Sequence, residues 1–133
     1  MNEDLLQERC WPIDWELSAL RARVRLAAHR VGLPQRRAND LVIAVHEAVL
    51  NVLEHGGGEG YVCFRHDRDS ITVHVIDIGG QLSAEHLPDQ PTWSGSPGNG
   101  LWLMRETCDE LIIDSRPGRG VVRLRMYLST DTR

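Results

Sequence analysis

Lysine is absent from this 133-residue chain: all fifteen basic residues are arginine. That excludes a phosphate loop built on lysine and a Schiff-base lysine. Aromatic residues make up 5% of the chain, with a single phenylalanine. No apolar run is long enough to span a bilayer. The first residues, Met1-Asn2-Glu3-Asp4, are acidic and polar, with no apolar leader behind them. A cytoplasmic protein with no membrane partner is therefore expected. The three cysteines, Cys10, Cys63 and Cys108, are odd in number, widely spaced and without CxxC pairing. They are expected to be reduced thiols packed as small apolar groups. A net charge of −4 gives no reason to expect direct nucleic-acid binding. Repeats, low-complexity tracts and linker-like segments are also missing, so residues 1–133 are expected to form one domain, burying about two thirds of the unfolded surface.

What is present is concentrated in one segment. Glu47, Asn51 and His55 recur every four residues, a little over one helical turn, and so share one stripe of a helix. Around them Leu41, Val42, Ile43, Val45, Val49, Leu50, Val52 and Leu53 make the helix apolar on nearly every side, as in a helix packed into an interior. A carboxylate, an amide and an imidazole in such a helix need polar partners, and a ligand-lined cleft supplies them.

Other elements follow from local patterns. Residues 4–10 read as a short first strand ended by Pro12, and Asp14 as a helix cap. Leu17, Leu20, Val24, Ala27, Ala28 and Val31 keep helical spacing up to Gly32, and Pro34 opens the next helix, about 35–54. Gly56-Gly57-Gly58 stops that helix. Tyr61–His66 and Ser70–Asp77 alternate around Asp67-Arg68-Asp69 as a hairpin, which would let His66 and His74 pair across strands. Residues 81–97, rich in Pro, Ser and Gly and without a basic residue, read as a lid. A helix opening at Gly98-Asn99-Gly100 and a last hairpin, 111–114 with 121–128, complete the order β-α-α-β-β-α-β-β. This predicts an α+β fold in two layers: a mixed, mostly antiparallel sheet covered on one face by about three helices.

Three motifs carry chemistry. Asn51 offers a carbonyl oxygen suited to Mg²⁺, and Glu47 can accept a proton from a hydroxyl or water attacking phosphorus. His55 either contacts phosphate or caps its helix. Asp77-Ile78-Gly79-Gly80 sets a carboxylate at a strand end beside bare backbone, where a flat ring with an exocyclic amine can approach. Alone this is an ordinary turn signal. Gly98-Asn99-Gly100-Leu101 frees backbone N–H groups at a helix start to face an anion.

In this order, Glu47-x-x-x-Asn51-x-x-x-His55-Gly56, Asp77-x-Gly79 and Gly98-x-Gly100-Leu101 resemble the N, G1 and G2 boxes of the GHKL ATPases, the Bergerat fold. The compact length and the continuation Gly98-Asn-Gly-Leu-Trp-Leu-Met-Arg-Glu-Thr-Cys-Asp109-Glu110 resemble the RsbW-type anti-sigma factors that are serine protein kinases. The resemblance spans about residues 5–128. It implies binding of ATP or ADP with Mg²⁺ on Asn51, adenine recognition by Asp77, and phosphates wrapped by Gly98 and Gly100. It also implies Glu47 as the base activating a substrate serine. The implied partners are a STAS-domain anti-sigma-factor antagonist and a sigma factor, with a homodimer in prospect. Two positions depart from the family pattern: Gln81 replaces a further G1 glycine, and Val121 follows Gly120 where relatives carry a threonine. Val121 and the lid without a basic residue favour a second reading, a nucleotide-sensing module that sequesters a partner without useful catalysis, while Glu47 favours the first. A third reading, the ATPase domain of a receptor histidine kinase, lacks a preceding phosphoacceptor helix.

Overall fold

A computed structural model describes residues 8–79, 98–116 and 118–129, and only the backbone of 98–102 and 115. The expected lid at 81–97 lies outside them, as do residues 4–7 of the expected first strand. The elements are β1 (Arg9–Pro12), α1 (Leu17–Arg30), α2 (Gln35–His55), β2 (Gly60–His66), β3 (Ser70–Asp77), α3 (Gly98–Thr107), β4 (Glu110–Arg116) and β5 (Arg119–Tyr127). The order matches the one predicted, and the fold is α+β. The five strands form one sheet, β1-β2-β3-β5-β4, with every pairing antiparallel, so the expected mixed character is absent among the described residues. Pro12 belongs to β1 rather than ending a strand before it; an edge strand tolerates the missing N–H.

Side-chain alternation sends one face of the sheet toward the helices. Val62 and Phe64 of β2, Val73 and Val75 of β3, and Val122, Leu124 and Met126 of β5 are all buried there. Helix α2 runs across this face and buries Leu41, Val42, Ala44, Val45, Ala48, Val49 and Val52. Only Ile43 of the predicted apolar set emerges into solvent. In α1 the expected stripe is found, with Leu20, Val24 and Ala28 buried. The helix closes at Gly32, whose φ of +85° disfavours a side chain. Gly32 N–H bonds to the His29 carbonyl (3.1 Å) and Leu33 N–H to that of Ala28 (3.0 Å), the paired bonds of a Schellman ending. At the other end of α1, Asp14 accepts the Glu16 N–H (2.9 Å) in a local turn, and the N-cap position falls on Glu16 instead.

Strand register overturns two expectations. Cys10 and Cys63 face each other across β1 and β2 and are joined by a disulfide, leaving Cys108 as the free, buried thiol. Fifty-three residues of separation hid a pairing that the sheet makes direct. His66 and His74 do not meet. His66 pairs with Ile71 and shares the helix-facing side with Phe64, while His74 pairs with Cys63 on the open side. There His74 accepts a bond from Arg123 Nε (3.1 Å), and burial, together with Arg123 and Arg65, lowers its pKa.

One cross-link orients the helices. Arg37, in the first turn of α2, donates to the Asp109 carboxylate just beyond α3 and to the Tyr127 carbonyl (3.1 Å). Asp109 Oδ2 also accepts the Tyr127 N–H (2.6 Å). The C-terminal end of α3 is thus pinned to the start of α2, and the two helices pack together.

Candidate functional site

The end of α2 and the end of β3 meet through glycines. Asp77 is the last residue of β3, with 0% exposure, and its Oδ1 accepts two backbone bonds, from Gly57 N–H (2.9 Å) and Gly79 N–H (2.9 Å). Such proximity requires bare backbone. A Cβ on Gly57 would lie 2.3 Å from the Gly79 Cα, and one on Gly79 would lie 2.2 Å from the Gly57 Cα. A Cβ on Gly56 would sit 2.4 Å from Asp77 Oδ2. The glycine run therefore does more than stop the helix: it brings backbone N–H groups to a carboxylate that would otherwise be buried at high cost. Gly58, with φ of +80°, turns the chain away, and its N–H bonds the Val52 carbonyl (3.1 Å). On the far side of β3, Asp77 is paired with Gly120 and its neighbour Ile76 with Val121.

The stripe of α2 approaches the same end. Asn51 is 8% exposed, and its Nδ2 has no hydrogen-bond partner among the described residues. A buried amide left with an orphaned end calls for a partner, which a water, an ion or a ligand can supply. Because its oxygen and nitrogen exchange by a flip of the side chain, it can turn a carbonyl to a cation or a donor to a phosphate. This donor set fits Mg²⁺, which takes few protein oxygens and keeps waters and substrate phosphates as its other ligands. Glu47, one turn earlier, is half-buried and has no hydrogen bond or ion pair among the described residues. His55, the last residue of α2, is half-exposed, with Nε2 3.8 Å from the Glu54 carboxylate. The stripe thus grades outward along the helix, from a buried amide to an imidazole at the rim.

Gly98, Asn99, Gly100 and Leu101 form the first turn of α3. With the C-terminal end of α3 pinned to the start of α2 and the two helices packed together, that N-terminus lies toward the C-terminal half of α2. The first two sequence motifs meet at one end of the sheet through the Gly57–Asp77–Gly79 bonds, and the third opens the helix packed on α2. Reasoning from sequence missed Gly57 as the partner of Asp77, although three glycines beside a polar stripe were the available signal.

A two-layer α+β frame with a buried strand-end carboxylate held by glycines and an unpartnered amide fits an ATPase-type domain. Comparison with known proteins agrees. Residues 14–126 match the histidine kinase-like ATPase domain. An anti-sigma F factor of Thermoanaerobacter sp. (strain X514) is 31% identical over 102 residues, which cover 69% of this chain and 71% of that protein. The anti-sigma F factor of Thermoanaerobacter pseudethanolicus matches to the same extent. Among solved structures, the RsbU and RsbW domains of Rv1364c from Mycobacterium tuberculosis superpose with a TM-score of 0.67 at 20% identity, covering 96% of this chain and 35% of that one. The SiaB–SiaC complex from Pseudomonas aeruginosa gives 0.58 at 14% identity, covering 93% and 91%. The chain belongs to the histidine kinase-like ATPase domain family, in its RsbW-type anti-sigma factor branch. No helix among the described residues is long and apolar enough to cross a membrane.

Proposed function

We propose that this chain, as one domain in the cytoplasm, is an anti-sigma factor and ATP-dependent serine kinase that phosphorylates a STAS-domain antagonist. The observation that carries this reading is the Asp77 carboxylate clasped by the N–H groups of Gly57 and Gly79. It stands in a chain similar to anti-sigma F factors over 69% of its length.

In this reading Asp77, aimed by its two backbone bonds, accepts from the exocyclic amine of adenine, and the bare backbone of Gly79 lets the ring lie close. Gly98, Asn99, Gly100 and Leu101 bring the α3 N-terminus to the phosphates, and His55 meets them from the rim. Asn51 would hold Mg²⁺ through its side-chain oxygen; when bound, the ion neutralises phosphate charge. Glu47, half-buried and uncommitted, receives the proton of the attacking serine hydroxyl. Phosphorylation adds about −1.5 to −2 charges to the antagonist at a packed interface, which favours its release and frees the kinase for a sigma factor. The anti-sigma F factor relatives support an antagonist and a sigma factor as partners, and the family resemblance supports a homodimer.

Val121, which offers no hydroxyl beside the Asp77 strand end, supports the second reading, sequestration with little catalysis. Incubation with γ-labelled ATP and a purified STAS-domain antagonist separates the two. The kinase reading predicts label on a serine with wild-type protein, and a rate about 100-fold or more lower for Glu47→Gln at unchanged ATP affinity. ATP binding without transfer by the wild type would leave the sequestering module.

A further inference from the structure

At the opposite end of the sheet from Asp77, α1 stands off β1 and β2 and leaves a cavity of about 620 Å³ on the helix-facing side. Along β3, six positions separate Ile71 in the cavity floor from Asp77, about 20 Å. The floor is apolar: Trp11, Phe64, Ile71 and Leu128, with the Trp11 and Phe64 rings 5.2 Å apart. The rim is cationic. Arg9, Arg23, Arg30, Arg65 and Arg68 line it. A third of the fifteen arginines thus surround one cavity in a chain whose net charge is −4.

Little in the protein answers this charge. Asp67 is the one lining carboxylate among the described residues. Its Oδ1 accepts the Asp69 N–H, the Ser70 N–H and the Ser70 hydroxyl, and its other oxygen lies 3.7 Å from Arg125. Arg23 rests over the Trp11 ring at 5.3 Å, and Arg65 reaches Glu8 at 3.4 Å. Arg9, Arg30 and Arg68 have no partner among the described residues. On the other flank of α1 a second groove of about 480 Å³ carries Arg25 and Leu33. Leu26 lines both, 49% exposed on the crest between them.

We infer that this surface docks an amphipathic helix of a partner protein, one with apolar residues at i, i+3 or i+4 and i+7 between two flanks of Asp and Glu. Two grooves flanking a helix whose crest bears a leucine match the ridge-and-groove geometry of helix packing, and the extended, two-sided surface suits a helix better than a compact ligand. The arginine rim sets the sign of the flanks and steers encounter. The inference rests on the proposed function only in that the chain works by capturing a partner. Docking here leaves the nucleotide end open.

The probe is a labelled 18-residue synthetic peptide with leucines at helical spacing and glutamates on the flanks, compared with its lysine counterpart by fluorescence anisotropy. Binding of the glutamate peptide alone is expected. It should weaken by about tenfold or more in Arg23→Glu/Arg30→Glu but not in Arg116→Glu, on the hairpin at the other end of the sheet. Failure of the glutamate peptide to bind, equal binding of both peptides, or insensitivity to the double reversal would overturn the inference. So would tight binding to phosphatidylglycerol vesicles with none to the peptide, which would make the patch a membrane surface. ATP affinity measured on the same preparations keeps the two claims apart: lost ATP binding with intact peptide binding defeats the nucleotide reading and leaves the docking surface standing.

Discussion

At the residue scale the site depends on atoms that are missing as much as on those present. Gly57 and Gly79 approach so closely that a methyl group on either would fall on the backbone of the other, which has no flexible end to swing aside. Gly57→Ala is therefore expected to separate the end of α2 from β3 and strip Asp77 of one backbone donor. It should lower thermal stability and nucleotide affinity together, the latter by about tenfold or more. A melting curve and a calorimetric titration on the same variant check both. Cys108 makes a second residue-scale case. Burial pushes its thiol up to about 12 from 9.0. A raised folded-state value contributes stability that is complete below the unfolded value and lost as pH rises toward the folded one, so stability is expected to fall between pH 9.0 and about 12 in wild type and less in Cys108→Ala. Native Cys108 should resist iodoacetamide at neutral pH, read by mass spectrometry.

At the scale of elements, α1, α2, the β2–β3 hairpin and β5 were legible because each is written in consecutive residues. The apolar period and Gly32 bound α1, the turn Asp67-Arg68-Asp69 joins two alternating runs, and Val122, Leu124 and Met126 alternate with Arg123 and Arg125. What escaped lies between segments. The bond of Cys10 to Cys63 depends on the register of β1 against β2, and the separation of His66 from His74 on which side of one sheet each residue faces. Local spacing contains neither. The disulfide ties the edge strand β1 to β2 across fifty-three residues of chain, and for a closed loop of that size the expected stabilisation is about 2–4 kcal/mol. Cys10→Ser, or reduction of the wild type, should lower the denaturant midpoint accordingly, and the reductant should have no further effect on Cys10→Ser. Equal midpoints would deny the staple any thermodynamic role.

For the whole molecule, the fold divides its labour between the ends of one sheet. At one end α2 and β3 bring together a buried amide and a glycine-held carboxylate. At the other, α1, β1 and the β2–β3 turn surround an arginine-rimmed groove. The presence of the candidate site's three motifs was legible in sequence because each is local, and the family resemblance supplied their proposed meaning. That Asp77 needs Gly57 was not, since twenty residues separate them and only folding brings them into contact. The central claim is that these motifs make one nucleotide site, and calorimetry with ATP and ADP, with and without Mg²⁺, tests it most directly. The account predicts that wild type binds with Mg²⁺-dependent affinity, that Asp77→Asn weakens binding by about 10- to 100-fold, and that Asn51→Ala removes the Mg²⁺ dependence. Absence of nucleotide binding by the folded wild-type protein, or affinity untouched by Asp77→Asn, would contradict it.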